Sequence, residues 1–324
     1  MFSCFNHKNP KYFPASKTFK TIINYAIMKI SVQVNTPILG NSIKEKMNEI
    51  CRKITGCETV SGYSDDADIV LFIGQPKPSK KTVFMQSVSA GVNHVDFSLI
   101  PENIKIASNA DAWSVPVSEH VMALLLAFTR KICQSNTELH NGIYKRLDDK
   151  SYIVLNGKTL GILGYGGIGR HVAGLANAFG MKIIAYTRTY KPDDISEFKM
   201  PDELMKLSDF VLISLPLNKY TRNFVDKSLL SKFNGYAIIN VGRAEIVNHS
   251  DMIDFLNNSS AYYLTDVWWD EPKINEKIPD NVIITPHIGG MSDNIEQQFI
   301  YACKNIKNFL NGSPKNIVRR DDYI

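Results

Sequence analysis

The segment that most restricts what this chain can fold into is Gly164-Tyr165-Gly166-Gly167-Ile168-Gly169. Its residues follow the pattern G-x-G-x-x-G, between a β-rich run, Thr159 to Leu163, and a run of helical periodicity that extends to Phe179. That strand, loop and helix setting is what gives the pattern meaning. Gly164 permits the tight turn out of the strand, Gly166 lets the backbone approach a pyrophosphate, and Gly169 lets helix and strand pack closely. The start of the helix offers amide donors and the positive end of its dipole to an anion. We therefore read all six residues as part of a dinucleotide site at the edge of a parallel sheet.

The remaining pattern is that of an α/β chain. From Met28, short β-rich runs alternate with helical ones: Ile30 to Val34, the amphipathic Ile43 to Ile54, then Ile69 to Ile73, Val83 to Val88 and Ile104 to Ala107. After the turn signal Asn156-Gly157 the alternation resumes with Thr159 to Leu163, Met181 to Thr187, a helix near Glu203, and Phe210 to Leu215. Strands at Tyr236 to Val241, Ala261 to Val267 and Val282 to Thr285 continue it, and a last helix covers about Asn294 to Leu310. Strands separated by helices predict parallel sheets. A length of 324 residues suits two domains. We expect two Rossmann-like doubly wound domains, a dinucleotide-binding domain over 109–290 inserted into a substrate domain formed by 28–108 and 291–324. A long helix from about Val117 to Glu138 should join or span them, and Gly289-Gly290 offers a flexible return point.

Charge and composition narrow the partners. The formal net charge is +5, but Lys8, Lys11, Lys17 and Lys20 lie in 1–27 without any acid, which leaves 33 basic and 32 acidic residues elsewhere. With no basic run interleaved with aromatics, no nucleic-acid partner is expected. The best apolar run, Val121 to Phe128, is followed by Thr129-Arg130-Lys131 and falls short of the roughly 18 residues a membrane span needs. Five scattered cysteines, Cys4, Cys51, Cys57, Cys133 and Cys303, suggest neither a disulfide framework nor a metal site and fit a reducing cytoplasm. Residues 1–27 lack a periodic pattern and any Arg. We expect this N-terminal extension to lie outside the fold, with translation starting at Met28 and no targeting role.

Three downstream segments each follow a predicted strand: Asn240-Val241-Gly242-Arg243, Asp266-Val267-Trp268-Trp269-Asp270-Glu271-Pro272, and Thr285-Pro286-His287-Ile288-Gly289-Gly290. In a doubly wound sheet the loops after the strands meet at one edge. Arg243, Glu271 and His287 should thus converge beside the dinucleotide crevice, and a cation, a carboxylate and a histidine together suit the reduction of a keto acid. Through these segments and the glycine loop, with further likeness in Ser89-Ala90-Gly91-Val92 and Val117-Ser118-Glu119-His120, the chain resembles the D-isomer-specific 2-hydroxyacid dehydrogenases from about Met28 to Ile324.

The resemblance implies roles. Arg243 would hold the substrate carboxylate and polarise its 2-oxo group. His287 would be the acid/base, and Glu271 would hydrogen-bond the imidazole and stabilise its protonated form. Asp266 would meet the nicotinamide side, Val241 and Gly242 would also line the cofactor, and the amides around Ser89, Ala90 and Gly91 would bind the substrate carboxylate. The substrate would be a small 2-oxo or D-2-hydroxy acid of glyoxylate or hydroxypyruvate type. Glu271 speaks against the formate dehydrogenases of this superfamily, which carry Gln there. Phosphoglycerate dehydrogenase is one alternative, although no basic cluster for a phosphate stands near Ser89 to Asn93 and no regulatory domain is expected beyond Ile324. A nucleotide-sensing binding protein on the same fold is another. His94 and His120 sit near the site without a paired acid, while His7, His140, His171 and His249 read as surface or helix residues. Trp268 and Trp269 read either as core or, with Trp113, as pocket walls.

Thr187 stands 23 residues after Gly164, at the end of the second strand of this unit. An enzyme for NAD usually has Asp or Glu there, which accepts bonds from the ribose hydroxyls and repels a 2′-phosphate. Thr187 offers a neutral hydroxyl and Arg188 a fixed cation that can pair with phosphate oxygens. NADP is therefore the expected cofactor, with NAD possible. The helix from Val117 carries Val121, Met122, Leu124, Leu125 and Phe128 on more than one face, so we expect a homodimer joined through the dinucleotide domains.

Overall fold

The computed structural model describes residues 28–34, 41–146 and 152–323, and the expected extension 1–27 lies outside them. The first of two parallel sheets contains β1 (Lys29–Val34), β2 (Glu58–Ser61), β3 (Ile69–Ile73), β4 (Phe84–Ser87) and β5 (Lys105–Ala107), in the order β2-β1-β3-β4-β5. β1 lies parallel to β3 with Ile30 beside Ile69 and Val34 beside Ile73. Ile69 to Phe72 are buried on both faces, as a parallel sheet covered by helices requires. Helix α1 (Asn41–Thr55) supplies part of that cover through Met47 and Cys51, both fully buried.

The chain then becomes helical in a short turn, Ala110–Trp113, and continues as α2 (Ser114–Thr129) and α3 (Ile132–His140). The second sheet is built from β6 (Thr159–Leu163), β7 (Lys182–Tyr186), β8 (Ser196–Phe198), β9 (Phe210–Ile213), β10 (Ala237–Asn240), β11 (Tyr262–Thr265) and β12 (Val282–Ile284). Helices α4 (Gly167–Ala178), α5 (Pro201–Leu207), α6 (Lys227–Leu230) and α7 (His249–Asn258) connect them. The order is β12-β11-β10-β9-β6-β7-β8, so the chain winds one way from β6 and the other way from β9. A ligand crevice of a doubly wound sheet opens at that reversal, outside the carboxyl ends of the strands. Alternate strand residues feed two cores. Leu160, Ile162, Leu212 and Ile239 face one, and Leu163, Val211, Ile213 and Ile238 face the other.

Helix α8 (Glu296–Leu310) returns the chain to the first sheet. Phe309 stacks on Phe84 with centroids 4.1 Å apart, and Phe299, Ala302, Cys303 and Ile306 share a core with Ile30, Ile69 and Met47. The first unit is thus assembled from two stretches of chain with the second unit between them.

The structure changes several readings. The single helix expected from Val117 to Glu138 is two helices, broken at Arg130-Lys131, where Lys131 adopts a left-handed φ of 55°. The helical run Ala110–Thr129 is, by length and composition alone, long and apolar enough to cross a membrane, yet more than half of it is buried inside the protein. Its Val121, Met122, Leu124, Leu125 and Phe128 are at most 6% exposed within one chain, so they do not require a partner for their burial. Gly289 and Gly290 are not left-handed. They are needed for room, since a Cβ would stand 2.8 Å from Asp266 Oδ2 at the first and 2.8 Å from the Trp113 ring at the second.

Candidate active site

The glycine loop joins β6 to α4 at the reversal point of the second sheet. Gly164 has a φ of +105°, and a Cβ there would lie 2.7 Å from the backbone of Ser214 and Leu215, so strain and space both exclude a side chain. A Cβ on Gly169 would stand 2.4 Å from the Gly164 carbonyl. Gly166, just before the first turn of α4, has nothing within 4 Å on its side-chain face. A pyrophosphate has room there beside the unpaired amides of a helix start. Tyr165 turns its ring into the core, 2% exposed, with the Arg170 guanidinium over it at 4.6 Å. Ile168 packs against the same core, so these two residues offer a ligand backbone only. The loop fits a bound dinucleotide.

β10 ends at Asn240, whose buried amide shapes the next turn. Its Oδ1 accepts from the Gly242 amide at 3.0 Å, and its Nδ2 donates to the Arg243 carbonyl at 3.1 Å and the Tyr263 hydroxyl at 2.9 Å. The Val241 amide donates to the Ile213 carbonyl at 3.2 Å, and a Cβ on Gly242 would stand 2.9 Å from the Leu215 carbonyl. Arg243 leaves this turn in extended conformation with Nη1 donating to the Gly242 carbonyl at 2.7 Å. Its guanidinium reaches the first unit, where a Cβ on Gly91 would lie 3.1 Å from Nη2.

Ser89, Ala90 and Gly91 form the loop after β4, anchored by the Ser89 amide donating to Ser87 Oγ at 3.0 Å. Among the described residues the Ala90 and Gly91 amides bond to no protein acceptor. The Arg243 guanidinium thus stands beside this loop at Gly91. Burial pushes the Arg243 guanidinium down from its usual range, opposed chiefly by the carboxylates of Glu271 and Glu245; it remains a cation. The His94 imidazole, further along that loop, is held below its usual range by loss of water and then by the Arg243 charge.

His287 follows β12 in a left-handed conformation, φ 56°, its amide donating to the Thr285 carbonyl at 3.0 Å. A non-glycine residue held there costs about 1–2 kcal/mol, and such strain gathers at functional sites. Its Nδ1 lies 2.7 Å from Glu271 Oε2, and Glu271 Oε1 accepts from the Trp268 amide at 2.7 Å. With Nδ1 engaged, Nε2 is the atom left for a ligand. Burial works to raise the Glu271 carboxyl, but the bonds from His287 and Trp268 and the charges of His287 and Arg243 prevail and hold it below the usual carboxylate range.

Asp266 was expected beside the nicotinamide. Its buried carboxylate clamps the loop that carries His287: Oδ1 accepts from Thr285 Oγ1 at 2.6 Å and the Ile288 amide at 2.9 Å, and Oδ2 accepts from the Gly289 amide at 2.7 Å. His120 completes the clamp from α2, with Nε2 2.8 Å from Thr285 Oγ1 and 3.5 Å from Asp266 Oδ1. This corrects the reading of His120 as lacking a paired acid. His249 is likewise paired, with Glu276 at 2.7 Å. Trp268 and Trp269 are both buried, 4% and 9% exposed, and meet edge to face at 5.1 Å, so they belong to the core. Trp113 donates from Nε1 to the Val88 carbonyl at 2.9 Å, which joins the two units. At the end of β7, Thr187 is half-buried and Arg188 is exposed but ion-paired with Asp322 at 3.2 Å.

A family model described as the D-isomer specific 2-hydroxyacid dehydrogenase NAD binding domain matches residues 122–289. The chain is 31% identical over 255 residues to a hydroxypyruvate reductase of Thermotoga maritima, with 76% of this chain and 81% of the relative covered. It is 29% identical over 291 residues to a hydroxypyruvate reductase of Blautia hydrogenotrophica, covering 82% and 89%. Among solved structures, a glycerate dehydrogenase related protein of Thermoplasma acidophilum aligns with a TM-score of 0.64 at 41% identity, covering 86% of this chain and 99% of that one.

Proposed function

The chain belongs to the D-isomer specific 2-hydroxyacid dehydrogenase family, and on that premise we propose that it reduces a small 2-oxo acid of glyoxylate or hydroxypyruvate type to the D-2-hydroxy acid with NADPH. The observation that carries this reading is the convergence of the Arg243 guanidinium on Gly91 and of His287 on Glu271. When bound, a nicotinamide dinucleotide would supply the hydride, and Gly164, Gly166 and Gly169 with the start of α4 would hold its pyrophosphate. Arg243 binds the substrate carboxylate and polarises the 2-oxo group, while the Ala90 and Gly91 amides take the other carboxylate oxygen. His287 Nε2 delivers the proton to the carbonyl oxygen as charge develops there, and Glu271 keeps the imidazole oriented for that transfer through the bond at Nδ1.

A phosphorylated substrate would need a further cation, and the loop of Ser89 to Asn93 carries no Lys or Arg, which disfavours phosphoglycerate. The NADPH preference rests on Thr187 and Arg188, and Thr187→Asp/Arg188→Ala should reverse or abolish it. We also infer a homodimer through the dinucleotide unit, supported by Ile132, Leu139, Ile143 and Tyr144, each at least 50% exposed on and after α3. Buried thiols at Cys51, Cys57 and Cys303 are compatible with a reducing cytoplasm. Oxidation of NADPH by the purified protein, followed across glyoxylate, hydroxypyruvate, pyruvate and 3-phosphohydroxypyruvate, tests the assignment. NADPH binding without turnover of any 2-oxo acid would favour the sensor, and preference for the phosphorylated substrate would favour the other dehydrogenase.

A further inference from the structure

The last described residues cross from one unit to the other. On the first unit, Arg320 donates from Nη1 and Nη2 to the Ile100 and Pro101 carbonyls at 2.8 Å each. Tyr323 stacks on Phe97 with centroids 5.3 Å apart. Just upstream, the Val318 amide donates to the Ile106 carbonyl at 2.8 Å and Ile317 bridges Ala107. Between these anchors Asp322 faces the second unit. Its carbonyl accepts from the Lys219 amide at 3.0 Å, and Arg188 Nη1 donates to its carboxylate oxygens at 3.2 and 3.4 Å.

The placement of these two partners matters. β7 and β9 both border β6, so Arg188, just past β7, and Lys219, in the loop after β9, stand on either side of the glycine loop. The side chain of Asp322 is 13% exposed, whereas that of Arg188 is 60% exposed and remains open to a ligand. A carboxylate fixed there repels a ribose 2′-phosphate and occupies its cation, and it can accept a bond from a 2′-hydroxyl. An acid thus stands against Arg188, although Thr187 itself is neutral.

Resting on the reading of Arg188 as the 2′-phosphate partner, we propose that Asp322 sets the dinucleotide preference by competing with that phosphate for Arg188. The test compares kcat/KM for NADPH and NADH, and inhibition by adenosine 2′,5′-bisphosphate and by AMP, in the full chain. Asp322→Asn should raise the NADPH/NADH ratio and tighten the bisphosphate by about three- to tenfold, with AMP little changed. In an Arg188→Ala background the same change should have a smaller effect, because the two groups act as a pair. Asp322→Glu keeps the charge and should retain the native ratio. A ratio unmoved by Asp322→Asn, an equal effect in both backgrounds, or a Glu variant as altered as the Asn variant would each overturn the proposal. Every result is read relative to the native protein, so a native preference for NADH refutes the NADPH assignment while leaving this comparison intact.

Discussion

Glu271 Oε2 lies 2.7 Å from His287 Nδ1, although the two residues hang from loops of different strands. β11 and β12 run parallel with Thr265 beside Ile284, so their exits lie side by side at one sheet edge. The Glu271 carboxylate is fixed at its other oxygen by the Trp268 amide, and His287 is held by a left-handed backbone. Neither side chain has to be ordered by substrate, which is the preorganisation that proton transfer needs.

His287→Ala should lower kcat by about 10²- to 10⁴-fold. The imidazole is 46% exposed, so the melting temperature should stay within a few degrees of native. Glu271→Gln should fall between the two, since the amide still reaches the ring but carries no charge. Steady-state kinetics beside thermal melts decide this, and native turnover in His287→Ala would remove the histidine from the mechanism.

Arg243→Ala should cost about 1.5–3 kcal/mol in kcat/KM, roughly ten- to a hundredfold, with a rise in KM. Gly91→Ala offers a gentler probe of the same contact. Its added Cβ would stand 3.1 Å from Arg243 Nη2 and 3.0 Å from Asn93 Oδ1, so the guanidinium must shift by a few tenths of an ångström and activity should fall while the cation remains. A Gly91→Ala variant with native KM would show that the guanidinium does not work at this loop.

How far the sequence reaches depends on separation along the chain. The Val- and Ile-rich strands are legible because burial on both faces demands apolar runs, and Arg243, Glu271 and His287 can be aligned because parallel strands deliver their loops to one edge. The edge strands β2, Glu-Thr-Val-Ser, and β8, Ser-Glu-Phe, carry too little apolar pattern to be seen. The break at Arg130-Lys131 involves neither Gly nor Pro and so leaves no sequence signal. His120 meets Thr285 across 165 positions, and Arg188 meets Asp322 across 134. Both meetings depend on how elements dock, which periodicity does not encode. Val117-Ser118-Glu119-His120 was visible as a likeness, yet only the docking of α2 against the loop after β12 reveals what the histidine does.

The proposed dimer can be tested apart from the chemistry. Light scattering after size exclusion at micromolar concentration should give twice the chain mass of 36.5 kDa. Tyr144 is 86% exposed and Leu139 56%, so Leu139→Glu/Tyr144→Glu should shift the protein toward the monomer without unfolding it, if that surface forms the interface. A native protein that elutes as a monomer refutes the assembly.

The clamp at Asp266 predicts a pH signature. Burial alone would raise its carboxyl, but the bonds from His120, Thr285 and the Gly289 and Ile288 amides outweigh it and hold the group below its usual range. A carboxyl depressed in the folded state adds stability that is fully present above its unfolded pKa, about 3.9, and is lost as pH falls through the folded value. Asp266→Asn lacks that titration. Near neutral pH it should be less stable than the native protein by about 2–3 kcal/mol, and kcat should fall because the loop carrying His287 loses its anchor. The stability gap should hold down to about pH 5 and narrow below about pH 4. Denaturant melts of both proteins across that range measure it. A gap that stays constant to the lowest pH at which both fold would mean that the buried carboxylate does not hold the loop through its charge.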